Sequence, residues 1–128
     1  DGFTAFIAWT FQPDRTPLMR REDLAAGVRA RGYRGALDYL RTLAVARVAL
    51  DNFSNLQASW VTQGKAIGQL SLLYGANDLG STMMEESVVS AAGTVHCLRQ
   101  EDLVAMIRGA GFRPATRDNG YNLLRVGD

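Results

Sequence analysis

Phe3-Thr4-Ala5-Phe6-Ile7-Ala8-Trp9-Thr10-Phe11 is apolar on both alternating faces and rich in aromatic and β-favouring residues. This is the pattern of a strand covered from both sides, as in a parallel sheet flanked by helices. Gln12-Pro13-Asp14 breaks it. An arginine-rich stretch from Arg15 to Arg34 follows, with Pro17 and a short helix predicted over Glu22 to Ala30.

From Ala36 to Leu50 the spacing turns helical, with Leu37, Leu40, Ala44 and Val48 on one stripe and Asp38, Arg41 and Arg47 largely off it. Ala44, Ala46 and Ala49 would let this helix sit close to a sheet. Asp51 to Asn55 is a turn-rich connector, after which Leu56-Gln57-Ala58-Ser59-Trp60-Val61 reads as a second strand. Thr62 is placed to cap a helix from about Lys65 to Tyr74, which Gly75 ends. Asn77 to Met83 is the third strand candidate, shorter and more polar than the others.

Leu103, Met106, Ile107 and Ala110 form a clean apolar stripe on a helix over Gln100 to Ala110, with Glu101 and Asp102 at its positive N-terminal end and Gly111 at its stop. Arg113 to Val126 supplies a final extended segment or hairpin that turns at Asp118-Asn119-Gly120. With no repeat, low-complexity tract or linker, residues 1–128 read as a single segment. The order strand, helix, strand, helix, strand, helix predicts an α/β fold with right-handed crossovers and a parallel sheet.

An apolar content of 47% with 21% charged residues is that of an ordinary globular domain. A formal charge of +1 gives no electrostatic reason to expect nucleic acid or an anionic membrane as a partner. No apolar run approaches the roughly 20 residues of a membrane helix, and no signal-peptide pattern opens the chain. Cys97 is the single cysteine, so a reducing cytoplasm is expected and no multi-cysteine metal site can be built from this chain alone. The opening on Asp1-Gly2, without an initiator Met or a leading loop, reads as a sequence cut into mid-domain.

Three stretches together resemble the dehypoxanthine futalosine cyclase family of radical S-adenosylmethionine (SAM) enzymes: FTAFIAWTFQ (Phe3 to Gln12), NLQASWVTQ (Asn55 to Gln63) and GANDLGSTMMEESVVSAAGT (Gly75 to Thr94). Tyr39 to Ala44 and Gly111-Phe112-Arg113-Pro114 extend the resemblance over nearly the whole chain. It implies the C-terminal part of a radical SAM (β/α) barrel, about the last three β/α units plus a C-terminal extension. It also implies a 4Fe-4S cluster and SAM in the intact enzyme, and cyclisation of dehypoxanthine futalosine to cyclic dehypoxanthine futalosine in menaquinone biosynthesis. The family's CxxxCxxC cluster motif is absent here and would belong to a missing N-terminal part of the barrel, so this segment alone is expected to be inactive. Ala8, where relatives often carry proline before the Trp, and the arginine-rich loop depart from the family pattern. Aminofutalosine synthase and the deazaflavin-forming FO synthase share the GAND-like stretch, whereas Trp9 to Gln12 and Gln57 to Trp60 favour the cyclase.

In such barrels, ligand groups come from the carboxyl ends of strands and the loops beyond them. Thr10, Gln12, Gln57, Ser59, Trp60, Asn77, Asp78, Ser81 and Thr82 are therefore the candidates for binding substrate or SAM, and Glu85 and Glu86 the candidates for a catalytic carboxylate. Each has a plain alternative. Trp9 and Trp60 would equally fill a core. Gln12 and Gln57 would equally satisfy backbone at a strand end, since a buried amide must find partners. Asn77 and Asp78 would nearly as well form a turn, and adjacent acids such as Glu85 and Glu86 are more often a solvated face or a helix start. His96 and Cys97 read as incidental, because two adjacent residues do not make a closed metal site. Two other classes compete with the enzyme segment: a self-standing α/β module that binds SAM or a nucleoside, and a structural segment that completes a barrel with another chain.

Overall fold

The computed structural model describes residues 2–11, 16–30, 35–82 and 98–127. Strand β1 (Phe6–Ile7) is followed by a 3-10 turn at Pro17–Arg20 and helices α1 (Glu22–Ala30) and α2 (Ala36–Ala49). Strand β2 (Leu56–Gln57) leads into α3 (Trp60–Ser71), which tightens into a 3-10 turn at Leu72–Tyr74. Helix α4 (Gln100–Gly109) and strands β3 (Ala115–Arg117) and β4 (Leu123–Val126) complete the described elements. The fold is α/β, as predicted.

β1 pairs with β2 in parallel, Phe6 opposite Leu56 and Ile7 opposite Gln57. Asp78 adds a parallel bridge to Gln57, through Asn77 N–H to Leu56 O (3.0 Å) and Ala58 N–H to Asp78 O (2.8 Å). Three positions expected to be neighbouring parallel strands are thus neighbours, in sequence order. The regular pairing is shorter than predicted, and among the described residues the third strand is a single bridge.

The second strand also ends early. Thr62 and Gln63 both donate their amides to Ser59 O, so Trp60 and Val61 begin α3 instead of extending β2. Trp and Val favour strands, but at the first turn of α3 their side chains are 2% and 6% exposed and gain their burial as helix residues. α3 itself bends at Gly64, whose φ of 81° interrupts the helical backbone before Lys65. Thr62 does not act as the cap of the following helix; its hydroxyl lies 2.8 Å from the Ser59 hydroxyl and 3.2 Å from the Ser59 carbonyl.

The core is formed where α2, α3 and α4 meet one face of the sheet. Tyr39, Leu40 and Leu43 of α2, Trp60 and Val61 of α3, and Leu103 and Met106 of α4 enclose Ala58, Leu72, Ala76 and Leu79. The stripe predicted for α2 is out of phase. Leu40 is buried, but Leu37 and Val48 are 57% and 85% exposed, and the inward face is Tyr39, Leu40, Leu43 and Ala46. α2 is apolar around most of its circumference, so spacing alone does not set which stripe turns inward. Of the alanines, Ala46 is buried and Ala49 exposed.

α4 and the terminal hairpin follow the reading closely. Leu103 and Met106 are buried with Ile107 and Ala110 packed beside them, and Gly111 ends the helix at a φ of 85°. β3 and β4 pair antiparallel across a turn in which Asp118 Oδ1 accepts the Asn122 amide at 2.9 Å. Among the described residues no helix is long and apolar enough to cross a membrane.

Candidate functional site

Side chains alternate across a strand, so the register assigns faces directly. Phe6, Leu56 and Asn77 share one face; Ile7, Gln57 and Asp78 share the other. Ala8, Ala58 and Leu79, two residues further along, belong to the helix-covered core, which makes the first face the helix side. The second face is where large apolar groups are open: Ile7 is 42% and Trp9 55% exposed.

Gln57 is the central group of that open face. Its amide reaches over Gly80, where an added Cβ would fall 2.5 Å from Gln57 Nε2, and Gly80 holds a φ of 75°. Glycine at position 80 therefore serves both conformation and space. The Gln57 side chain is partly exposed and takes part in none of the hydrogen bonds formed among the described residues. It keeps both donor and acceptor capacity for an external group.

At the carboxyl ends of β1 and β2 lies a network of neutral polar side chains. Gln63 Nε2 donates to Thr10 Oγ1 at 2.6 Å and to Thr62 Oγ1 at 3.3 Å, and Thr62 Oγ1 is 2.8 Å from Ser59 Oγ. Ser59 N–H donates to Tyr39 Oη at 2.7 Å. Burial pushes the Tyr39 phenol up, with the Ser59 amide partly opposing it. Thr10 and Ser59 were expected here. Gln63 and Thr62 were not, because in a polar helix start nothing marks them, and Thr10 lies 53 residues away in sequence.

The remaining candidates divide. Asn77 turns to the helix side, where Oδ1 accepts from Leu56 N (2.8 Å) and Arg47 Nη2 (2.9 Å). Arg47 also donates to Gly75 O at 2.8 Å, so the pair clips α2 to the strand starts. Trp60 stands in the core, its indole N–H donating to Leu79 O at 2.8 Å. Trp9, by contrast, is open in this chain. Asp78 is on the open face, but Arg117 grips it through Nε–Oδ1 (3.0 Å) and Nη2–Oδ2 (2.7 Å), and Tyr121 Oη donates to Oδ2 at 3.1 Å. Those bonds to Asp78 hold the guanidinium above its ordinary pKa. Ser81 and Thr82 are exposed beyond Gly80. Gln12, Glu85, Glu86, His96 and Cys97 lie outside the described residues.

The described residues contain no group of three His, Cys, Asp or Glu that could hold a metal ion. With one cysteine in the sequence, the chain does not fit a cluster held by three thiolates. The Gln57 amide on the open face, and the hydroxyl and amide groups of Thr10, Ser59, Thr62 and Gln63 at the strand ends, are suited to the hydroxyls and carbonyls of an organic ligand.

A family model described as CofH/MqnC C-terminal region matches residues 1–128. The chain belongs to the CofH/MqnC C-terminal family. It is 46% identical over 97% of its length to a protein of Halalkalibacterium halodurans named cyclic dehypoxanthine futalosine synthase, and 46% identical over 99% to one of Streptomyces coelicolor with the same name. It is 38% identical over 99% of its length to a Thermus thermophilus protein named aminodeoxyfutalosine synthase. The chain spans 31%, 29% and 33% of these relatives, about a third of each.

Proposed function

We propose that this chain is the C-terminal part of a radical SAM enzyme that converts dehypoxanthine futalosine into cyclic dehypoxanthine futalosine in the futalosine route to menaquinone. The observation that carries the reading is the 46% identity, sustained across nearly the whole chain, to two relatives named for that product, against 38% to the aminodeoxyfutalosine synthase. The consecutive parallel strands support placing the segment in a (β/α) barrel, with the helix side outward and Ile7, Gln57 and Asp78 facing the interior. The exposed Trp9, Phe11, Leu37 and Val48 would then meet the rest of the barrel.

The 4Fe-4S cluster and SAM would supply the one-electron chemistry, held by parts of the enzyme beyond this chain. The chain's own task is to position and enclose the nucleoside. Gln57 offers the ligand an amide on the interior face, while Thr10, Ser59, Thr62 and Gln63 present hydroxyls and amides at the strand ends. Ser81 and Thr82, after the close passage at Gly80, would line the same rim. Gln12 and one of Glu85 and Glu86 are proposed as further contacts, the carboxylate accepting a ribose hydroxyl or serving as a base. Such alignment is where a barrel mouth lowers the barrier, by fixing reacting groups in place and excluding water.

The test is to supply the full-length enzyme, with its cluster reconstituted, with SAM and dehypoxanthine futalosine and to identify the product by mass spectrometry and NMR. Cyclic dehypoxanthine futalosine is expected. Consumption of SAM without cyclised product, while the Halalkalibacterium halodurans relative turns over in parallel, would overturn the assignment.

A further inference from the structure

Arg117 sits on a hairpin whose strands bury almost nothing else. β4 is exposed throughout, with Leu123 and Leu124 at 68% and 66%, and Ala115 and Thr116 of β3 are exposed as well. The side chains of Arg117 and Asp78, in contrast, are only 20% and 11% exposed. Their contact is a two-point fork, the geometry that fixes a guanidinium in orientation as well as distance. Tyr121 completes it from across the turn. Its φ of 66° is a left-handed conformation, and its ring lies 3.9 Å beneath the Arg117 guanidinium carbon while its hydroxyl bonds the same carboxylate. A non-glycine residue in that conformation costs stability and persists only where its surroundings hold it, as the contacts to Arg117 and Asp78 hold this one.

The carboxylate so occupied is on the interior face, one strand from Gln57. Adjacent strands lie about 4.8 Å apart, so the hairpin's anchor is beside an amide that has no hydrogen-bond partner among the described residues. We infer that the C-terminal hairpin forms part of the floor of the ligand pocket next to Gln57, with Arg117 and Tyr121 as positioning residues that hold it there through Asp78. Asp78 then seats the floor with its charge paired to Arg117, and the ligand meets Gln57 without a free carboxylate beside it. This rests on the proposed interior face, and it goes beyond the proposed reaction in assigning a role to the hairpin.

The test uses the full-length enzyme with Arg117→Gln and, as a milder variant that keeps the ion pair, Tyr121→Phe. Hydrogen exchange is followed over residues 113–127 and 77–79, together with KM and kcat for the nucleoside. The expected result is at least tenfold faster exchange in the hairpin for Arg117→Gln, a smaller rise for Tyr121→Phe, and a KM increase in the same order with kcat less affected. Wild-type exchange in both variants would overturn the inference, as would faster exchange with KM unchanged, which would make the hairpin a structural appendage. If Arg117→Gln does not fold, Tyr121→Phe decides alone. Absence of turnover by the wild-type enzyme would defeat the proposed reaction, while the exchange comparison would still judge the anchoring of the hairpin by Arg117 and Tyr121.

Discussion

A Cβ at position 80 would lie 2.5 Å from Nε2 of Gln57, so the backbone at Gly80 and the amide of Gln57 occupy one shared space. Gly80→Ala should therefore act twice, through a φ of 75° that costs an L-residue roughly 1–2 kcal/mol and through displacement of the amide. Denaturant titration should show the loss of stability. Nucleoside affinity of the full-length enzyme should fall with it.

Gln57→Leu separates the two effects. The amide makes no hydrogen bond among the described residues, so the substitution should leave stability within about 0.5 kcal/mol, the range of an ordinary surface change. Loss of one ligand hydrogen bond, about 0.5–1.5 kcal/mol, should lower kcat/KM by up to roughly tenfold. A large stability loss with unchanged kinetics would place Gln57 among the structural residues.

Gly68 is pressed against Trp60, where an added Cβ would stand 2.7 Å from the Trp60 Cβ and 3.3 Å from its Cα. Gly68→Ala should destabilise by about 1–3 kcal/mol through overpacking, despite alanine's higher helix propensity. Thermal or denaturant unfolding of the full-length protein reads this directly.

Acid should loosen the C-terminal region at two points. Lys65 and the Arg99 amide hold the Asp102 carboxyl low, and the Asn122 side chain and amide do the same for Asp118. A depressed folded pKa gives stability that is present above the unfolded value of about 3.9 and is lost as pH falls through the lower folded value. Hydrogen exchange at α4 and the hairpin turn, compared with Asp102→Asn and Asp118→Ala, should show the wild type's advantage near neutrality and its disappearance in that acid window. Both carboxylates lie at the surface and are partly exposed, so the effect should also shrink with added salt.

What could be read from the sequence was what depends on local pattern. Phe6, Leu56 and Asp78 stand in neighbouring parallel positions because each lies in a segment bracketed by helix and turn signals. α4 was legible from its stripe, and the hairpin from Asp118-Asn119-Gly120. The phase of α2 was not, since a helix apolar nearly all round sets its inward face by what it meets, and Tyr39 turns inward partly to accept the Ser59 amide. Gln63 and Arg117 were missed for a related reason. Their meaning comes from partners 53 and 39 residues away, Thr10 and Asp78, which only the folded sheet brings near.

Which face of the sheet receives the proposed nucleoside substrate is measured by a crystal structure of the full-length enzyme with dehypoxanthine futalosine bound. The predicted result is a ligand oxygen or nitrogen at hydrogen-bond distance, roughly 2.7–3.2 Å, from the Gln57 amide, with the hydroxyl and amide groups of Thr10 and Gln63 at the same mouth. A ligand seated elsewhere, with Gln57 covered by protein and Ile7 and Trp9 packed in a closed core, would contradict it.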